Sequence, residues 1–245
     1  MINREHDTTA QGNLPTTRAA AILVAMIALS LPGCGPRSVK PGINDAYKNM
    51  TDVSVWTKRF EVETREIYAE RMRIIEALPI TPGMDVADIG SGTGLFVEPI
   101  SRAVGKDGHV YAVDVTPKFI EHLNERIADA GLKNVNTVLC KEDSVSLPAN
   151  SIDLAFICDV YHHFEYPKET MRSLHHALRP GGEIVLIDFY RIPGVSREWI
   201  LGHIRANKAT VIKELRSFGF ELTPDQPNDD FLHENYIIRV RKVKP

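Results

Sequence analysis

From residue 83 onward, the chain alternates between two hydrophobic patterns. Short apolar runs that end in a polar or acidic residue predict buried parallel strands. The stretches between them carry apolar residues at helical spacing and predict helices. Strands are predicted at residues 83–88, 108–114, 134–140, 151–159, 183–188, 220–223 and 236–243, and helices at 96–104, 119–130, 169–178 and 196–218. This order predicts an α/β domain on a mostly parallel sheet.

The region ahead of the first predicted strand is helical in pattern. Apolar residues recur at helical spacing through residues 45–78, and Pro79, Pro82 and Gly83 end the pattern. Residues 35–44, with two prolines, are predicted to be a flexible linker. The predicted organisation is therefore a segment at 1–34, a linker at 35–44, a helical cover at 45–80 and the main domain at 81–245.

The first 34 residues follow a different pattern. Residues 19–31 are apolar and uncharged, a run too short for a comfortable membrane span and typical of the core of a secretory signal. Leu31-Pro32-Gly33-Cys34 resembles the bacterial lipoprotein cleavage box, in which the cysteine becomes the lipidated first residue. The segment predicts export or membrane attachment in a bacterium. An uncleaved anchor, or a cytoplasmic protein with a wrongly assigned start, is the alternative.

Composition narrows the choice of partner. The chain has 245 residues, of which 43% are hydrophobic, and its net charge is -3. These values are ordinary for a globular domain, and no basic stripe predicts contact with nucleic acid. Membrane contact is expected only through the N-terminal segment. Cys140 and Cys158 fall at separate strand ends and are expected to be free, buried thiols.

Three glycines follow the first predicted strand. Gly90, Gly92 and Gly94 allow a sharp turn and a close approach of a ligand to the backbone. The N–H groups at the start of the next helix then face that ligand. The spacing differs from the dinucleotide fingerprint Gly-x-Gly-x-x-Gly. Asp88, two residues before the first glycine, would repel a pyrophosphate and attract a cationic ligand with an amino group.

An acid followed by Gly-x-Gly-x-Gly resembles the first motif of the class I S-adenosylmethionine-dependent methyltransferases. In that family the glycine loop passes under the methionine part and the ribose of the cofactor, a sulfonium cation without phosphate. The resemblance implies that Asp88 and the loop of Gly90, Ser91, Gly92, Thr93 and Gly94 bind S-adenosylmethionine. It also implies a Rossmann-like, doubly wound sheet of seven strands, mostly parallel, with an antiparallel last strand.

Further acidic residues follow the later predicted strands. Asp114 ends the second strand about 20 residues beyond the glycines, where an acid can accept hydrogen bonds from both ribose hydroxyls. The family resemblance implies that Asp143, with Ser144 beside it, meets the adenine amino group. Asp159 ends the fourth strand and joins this set, because the carboxyl ends of parallel strands face the ligand crevice.

Two adjacent histidines are the candidate catalytic residues. Methyl transfer from a sulfonium mainly requires alignment, and a base is needed only if the acceptor must lose a proton. His162 and His163 follow the fourth strand, and histidine titrates near neutral pH. Because neighbouring side chains point in different directions, one of the two is expected to face the substrate. For the same reason no metal site is expected, since zinc requires three or four converging ligands.

The function predicted from these residues is S-adenosylmethionine-dependent transfer of a methyl group to a small-molecule acceptor. A nicotinamide-dependent oxidoreductase is one alternative, but it would need a Gly-x-Gly-x-x-Gly loop and a Tyr-x-x-x-Lys pair, which the sequence lacks. An exported, non-catalytic nucleoside-binding protein of the same fold is the other. It gains support because S-adenosylmethionine is made in the cytoplasm, whereas the N-terminus has the pattern of an export signal.

Overall fold

The computed structural model of this protein describes residues 35–243. A seven-stranded sheet with the order β3-β2-β1-β4-β5-β7-β6 forms its centre. Only β7 runs antiparallel to its neighbours, β5 and β6, so the predicted fold class is confirmed. The strands are Asp85–Ile89 (β1), His109–Asp114 (β2), Val135–Leu139 (β3), Ile152–Cys158 (β4), Leu178–Phe189 (β5), Phe220–Leu222 (β6) and Asn235–Lys242 (β7).

Helices cover both faces of the sheet. The side chains of each central strand alternate between two apolar layers, as a period of two requires. Val86 packs in the layer that contains Ile74 and Ile100, whereas Ala87 packs in the layer that contains Met171 and Leu215. The helices are Asp45–Lys48 (α1), Ser54–Phe60 (α2), Glu66–Ala69 (α3), Arg71–Ala77 (α4), Val97–Val104 (α5), Pro117–Asp129 (α6), Pro167–Ala177 (α7), Glu198–His203 (α8) and Lys208–Ser217 (α9).

The predicted helical cover is four short helices, α1 to α4. Local polar side chains interrupt it: Asp52 accepts hydrogen bonds from the main-chain N–H and the hydroxyl of Ser54, both at 2.8 Å, where α2 begins. Residues just ahead of α1 also pack on the domain. The Ser38 hydroxyl donates to Glu165 Oε2 at 2.8 Å, and Val39 N–H donates to the main-chain oxygen of Glu165 at 2.8 Å. The prediction of a free linker over all of 35–44 is therefore corrected.

The helix predicted at 196–218 is in fact two, α8 and α9, separated by residues 204–207. Side chains from elsewhere satisfy the last carbonyls of α8. Arg191 donates to the oxygens of Leu201 (3.1 Å) and Ile204 (2.8 Å), and Lys40 donates to that of Gly202 (3.2 Å). The Asn207 side chain then accepts from Thr210 N–H at 2.9 Å and caps α9. The spacing of apolar residues does not indicate these polar contacts, so it does not predict the break between α8 and α9.

The predicted signal or lipoprotein-like segment, residues 1–34, lies outside the described residues. Within residues 35–243, none of the helices has both the length and the apolar character that a membrane span needs. Cys140 and Cys158 are free, as predicted, and each is half-buried rather than fully buried. Burial raises the pKa of the Cys140 thiol to about 12, so it stays protonated near neutral pH.

Candidate active site

The glycine turn after β1 takes a conformation that side chains disfavour. Gly90, Gly92 and Gly94 have φ values of +71°, +53° and +87°. A Cβ at Gly90 would lie 2.6 Å from the side chain of Val160, so this glycine permits a close packing contact. A Cβ at Gly92 would meet nothing closer than a main-chain oxygen at 3.9 Å. The turn is therefore closed over Gly90 and open over Gly92.

Two buried carboxylates flank this turn. Asp114 accepts hydrogen bonds from the main-chain N–H groups of Gly92 (2.9 Å) and Thr116 (2.8 Å), which ties the end of β2 to the loop. Burial raises the pKa of Asp88 to about 7, and the nearby Asp114 carboxylate adds to this rise, whereas a hydrogen bond from Ser91 opposes it. Within residues 35–243, neither acid forms an ion pair. We call Asp88, the loop 90–94 and Asp114 the glycine-loop region.

A single cavity of about 490 Å³ brings most of the predicted residues together. This volume lies in the usual range for small-molecule sites. Of the residues predicted from sequence, those in its wall are Asp88, Gly90, Ser91, Gly92, Thr93, Asp114, Ser144, Asp159, His162 and His163. The carboxyl ends of β1, β2 and β4 meet at this cavity, as expected for an open parallel sheet.

Two predicted cofactor residues lie outside the cavity wall. Gly94 packs inward: a Cβ there would lie 2.7 Å from Leu123 Cδ2 of α6, so its glycine serves helix packing. Asp143 is exposed at the tip of a tight turn that Lys141 and Ser144 close by main-chain hydrogen bonds. Glu142 and Ser144 face the cavity instead. The expected contact of Asp143 with adenine is therefore corrected.

Asp159 is engaged by protein partners. Its carboxylate accepts from Arg65 at 2.8 Å and from the Asn235 side chain at 2.6 Å, and its backbone has φ +55°. Burial raises the pKa of Asp159, while the Arg65 guanidinium opposes the rise. A second ion pair joins Arg126 to Glu61 at 2.6 Å. Both pairs fasten the helical cover over the cavity, so Asp159 holds the cover in place.

The histidines converge, which corrects the expectation that they diverge. The ring centroids of His162 and His163 are 4.3 Å apart, and each lies 5.1 Å from that of His203, at the end of α8. Asp188 Oδ1 lies 2.7 Å from His162 Nδ1, and Asn44 Oδ1 lies 3.1 Å from His163 Nδ1. We call the three imidazoles, with Asp188 and Asn44, the histidine cluster.

Electrostatics separate the two predicted catalytic histidines. Burial lowers the pKa of His163 to about 2, and the neighbouring His162, His203 and Lys40 act in the same direction. The pKa of His203 falls to about 4, again mainly through burial. His163 is therefore neutral at physiological pH and a weak proton acceptor. His162 differs in having a carboxylate partner, Asp188, which lies 2.7 Å from its Nδ1.

Sequence reasoning missed several of these partners. The sequence pattern does not predict that His203 approaches His162 and His163, and it identifies Asp188 only as the last residue of a predicted strand. One feature of the sequence could have indicated a role for Asp188: it ends the fifth predicted strand, and the ends of parallel strands face the crevice. Asn44 has no such feature, because it contacts His163 across a separation of 119 residues.

The glycine-loop region fits the cofactor that the family resemblance implies. Asp88 is a buried carboxylate with no cationic partner among residues 35–243, and such a group suits the ammonium group of S-adenosylmethionine. The open space over Gly92 is where a side chain would obstruct a ligand lying on the backbone. Each Asp114 oxygen that accepts a main-chain N–H keeps a lone pair for a ribose hydroxyl.

Comparison with known proteins agrees with this geometry. Residues 87–186 match the family described as "Methyltransferase domain". The matched methyltransferase-domain segment begins within β1 and ends within β5, so it contains the glycine loop and both adjacent histidines.

Curated relatives match over the same part of the chain. The ubiquinone/menaquinone biosynthesis C-methyltransferase UbiE of Shewanella sediminis is 29% identical over 116 residues, covering 47% of this chain and 46% of the relative. The enzyme of the same name from Vibrio cholerae is 28% identical over 109 residues, covering 44% and 42%. The chain thus spans less than half the length of these relatives.

Solved structures share the fold. A SAM-dependent methyltransferase from Aquifex aeolicus superposes with a TM-score of 0.67 at 22% identity, covering 79% of this chain and all of that one. The [4+2]-cyclase SpnF superposes with a TM-score of 0.61 at 16% identity, covering 72% and 81%. At these identities the likeness establishes the fold, and function must be argued from the site.

Proposed function

We propose that this protein is an S-adenosylmethionine-dependent methyltransferase that acts on a small molecule. The observation that carries the proposal is the cavity shared by Asp88, Asp114 and the open turn at Gly92. The match of residues 87–186 to the methyltransferase domain supports it independently. S-adenosylmethionine, when bound, supplies a methyl group already activated on a sulfonium.

The residues of the glycine-loop region bind and orient that cofactor. Asp114 accepts hydrogen bonds from the ribose hydroxyls, and Asp88 in its ionised form binds the ammonium group. The Gly92 backbone lies against the cofactor where a side chain would intrude. Ser91, Thr93 and Ser144 complete the polar wall. Holding donor and acceptor in line is the main contribution a protein makes to such a displacement.

We assign the histidine cluster to the part of the cavity that binds the methyl acceptor. Of the two candidate bases, we propose His162, because Asp188 accepts a hydrogen bond from its Nδ1 and so orients the ring. Asp188 is itself held by the main-chain N–H groups of Phe189 (2.8 Å) and His162 (3.2 Å). His162 would take a proton from acceptors that must lose one.

Aromatic side chains in the cavity wall favour a flat, apolar acceptor. Tyr47, Phe60, Phe189 and Trp199 all line the cavity. Rings stack on planar ligands and exclude water from the reacting atoms. The UbiE relatives are C-methyltransferases of quinone biosynthesis by name. Phenolic and quinone-like rings are therefore the first acceptor class that we propose to test.

The proposal is tested by mass spectrometry in two steps. The purified protein is analysed for a co-purifying adenosyl compound, and it is then incubated with S-adenosylmethionine and a metabolite extract enriched in phenols and quinones. We expect an extract component to gain one methyl group. A bound nucleoside without any methylated product would favour the non-catalytic binding protein instead.

Once a methyl acceptor is identified, the rates of two variants show which histidine acts as the base. His162→Ala should lower the rate by about 10²–10⁴-fold, the usual contribution of a general base. His163→Ala should lower it far less, because its imidazole is a weak proton acceptor. Full turnover in both variants would exclude either histidine as the base.

The cellular location is a separate proposal that rests on the sequence of residues 1–34. We propose export or membrane attachment through this segment, with lipidation at Cys34 as its specific form. Mass spectrometry of the mature N-terminus and fractionation of the native host test it. A full-length chain in the cytoplasmic fraction would contradict it.

A further inference from the structure

Three imidazoles meet at one point in the cavity wall. The metal-ligating nitrogens of His162, His163 and His203 all lie within 4.8 Å of one another. Nε2 of His163 and Nε2 of His203 are 3.4 Å apart. Two nitrogens bound to one tetrahedral zinc ion at about 2.0–2.1 Å are separated by about 3.4 Å. One pair therefore already has the spacing of a metal site.

Hydrogen bonds determine which ring nitrogens are free. Asp188 accepts from Nδ1 of His162, so that nitrogen carries the proton and Nε2 keeps its lone pair. Asn44 Nδ2 donates to the main-chain oxygen of His163 at 3.0 Å, which leaves Asn44 Oδ1 to accept from His163 Nδ1. Both rings thus present an unprotonated Nε2. Metal-bound histidines are commonly held by a carboxylate or a carbonyl in this way.

The third imidazole is held by its helix. His203 is the last residue of α8, whose final carbonyls accept from Arg191 and Lys40 as described above. That helix ends where it does because of these contacts, and its end lies beside the other two histidines. Without a metal, a proton on His203 Nε2 would make a long hydrogen bond to His163.

We propose that His162, His163 and His203 bind a divalent transition-metal ion, with zinc preferred. Neutral imidazoles suit such ions, and three protein ligands with one open position are typical of catalytic zinc sites. The open position faces the cavity, since all three residues line it. If the proposed function holds, that position takes an oxygen atom of the methyl acceptor.

The metal site and the general base make different demands on the same residues. A metal ion on Nε2 of His162 would prevent that nitrogen from accepting a proton, so the role of general base proposed above applies to the metal-free protein. The base requires His162 and Asp188 but not His203, whereas the metal site requires all three histidines. His203 is therefore the residue whose substitution distinguishes them.

Zinc binding by the full-length protein is the test. Metal-stripped wild type, His203→Ala and the control His176→Ala are dialysed against buffered Zn²⁺, and bound metal is measured by plasma mass spectrometry. His176 is exposed on α7, away from the cavity wall. All other histidines and cysteines remain in both variants, so the difference between the variants isolates the cluster.

We expect one tightly bound zinc ion per chain in wild type and in His176→Ala. His203→Ala should bind zinc at least about 100-fold more weakly, because losing even a residue that only orients a ligand costs about 10–100-fold. His163→Ala provides a second measurement if His203→Ala melts at a lower temperature than wild type. Equal zinc affinity in wild type and both cluster variants, or no binding by wild type, would overturn the metal site.

S-adenosylmethionine is titrated into the same metal-stripped samples, so that the two proposals can fail separately. Zinc binding without cofactor binding would contradict the methyltransferase and leave the metal site intact. Cofactor binding without zinc binding would contradict the metal site alone.

Discussion

The glycine-loop region and the histidine cluster share a cavity but offer a ligand opposite chemistry. The first presents two buried carboxylates that no cation neutralises within residues 35–243, and one of them has a pKa raised to about 7. The second presents three imidazoles, two of them with pKa values lowered by burial. Burial thus disfavours the charged forms of Asp88, His163 and His203. A cation would form an ion pair with the carboxylates of the first region, whereas a proton or a metal ion would bind the imidazoles of the second.

The largest expected effect is on the free energy of unfolding, and it comes from ionisation of Asp88 in the glycine-loop region. Unfolded Asp88 loses its proton near its ordinary pKa of 3.8, whereas the folded protein keeps it until about pH 7. The unfolded state therefore binds fewer protons in this window, and the free energy of unfolding falls as pH rises from about 4 to about 7. At about 1.4 kcal/mol per pKa unit, the loss approaches about 4 kcal/mol.

Asp88→Asn should remove this contribution, because the amide has nearly the same shape and does not ionise. Chemical denaturation from about pH 4 to pH 8 measures it. We expect the variant to exceed wild type in stability by up to about 4 kcal/mol near pH 8 and to match it near pH 4. The same pH slope in both proteins would mean that Asp88 ionises freely when folded.

The second effect compares two glycines in one loop. Gly90→Ala should lower stability by about 3 kcal/mol, since it combines a positive φ with a 2.6 Å contact to Val160. Gly92→Ala meets no such contact and should cost only about 1 kcal/mol. Its main effect should be at least about tenfold weaker binding of S-adenosylmethionine, because its Cβ enters the ligand space.

Thermal melts and calorimetric titration of both glycine variants check this contrast. Val160→Ala added to Gly90→Ala should recover part of the lost stability, because it removes the clashing methyl groups. Equal losses of stability in the two single variants would contradict the assignment of a closed and an open side of the turn.

The smallest effect lies in the histidine cluster. Asn44→Ala leaves Nδ1 of His163 without its acceptor in a buried setting, which should cost about 1–2 kcal/mol of stability. Binding of S-adenosylmethionine should stay within about twofold of wild type, because the substitution lies outside the glycine-loop region. Denaturation and titration on the same samples measure both quantities. A large loss of cofactor affinity would show that the two regions are not independent.

The two regions also differ in how far the sequence predicts them. The glycine-loop region comes from two neighbouring βα units, so Asp88, the glycines and Asp114 are brought together by local chain order. The carboxyl ends of the strands in a parallel sheet lie at the same edge, and this holds independently of contacts elsewhere in the chain. Chain order does not predict two details of this region: Gly94 packs on α6, and Asp143 lies at the tip of an exposed turn.

The histidine cluster depends on contacts between distant segments. His163 meets Asn44 across 119 residues and His203 across 40, and His162 meets Asp188 across 26. The apolar spacing at 196–218 predicts one helix, whereas α8 ends at His203, beside the other two histidines. The actual end of α8 depends on Arg191 and Lys40, and neither leaves a periodic signal. Convergence of the imidazoles is therefore a property of tertiary packing.

Calorimetric titration of S-adenosylmethionine into wild type, Asp114→Ala and Asp143→Ala tests the central claim most directly. Each variant loses one carboxylate, at the end of β2 for Asp114 and in the turn after β3 for Asp143. Of the two, only Asp114 faces the cavity. We predict micromolar binding by wild type and by Asp143→Ala, and about 100-fold weaker binding, about 2.7 kcal/mol, by Asp114→Ala. Equal affinity in wild type and Asp114→Ala, or no binding by wild type, would contradict the account.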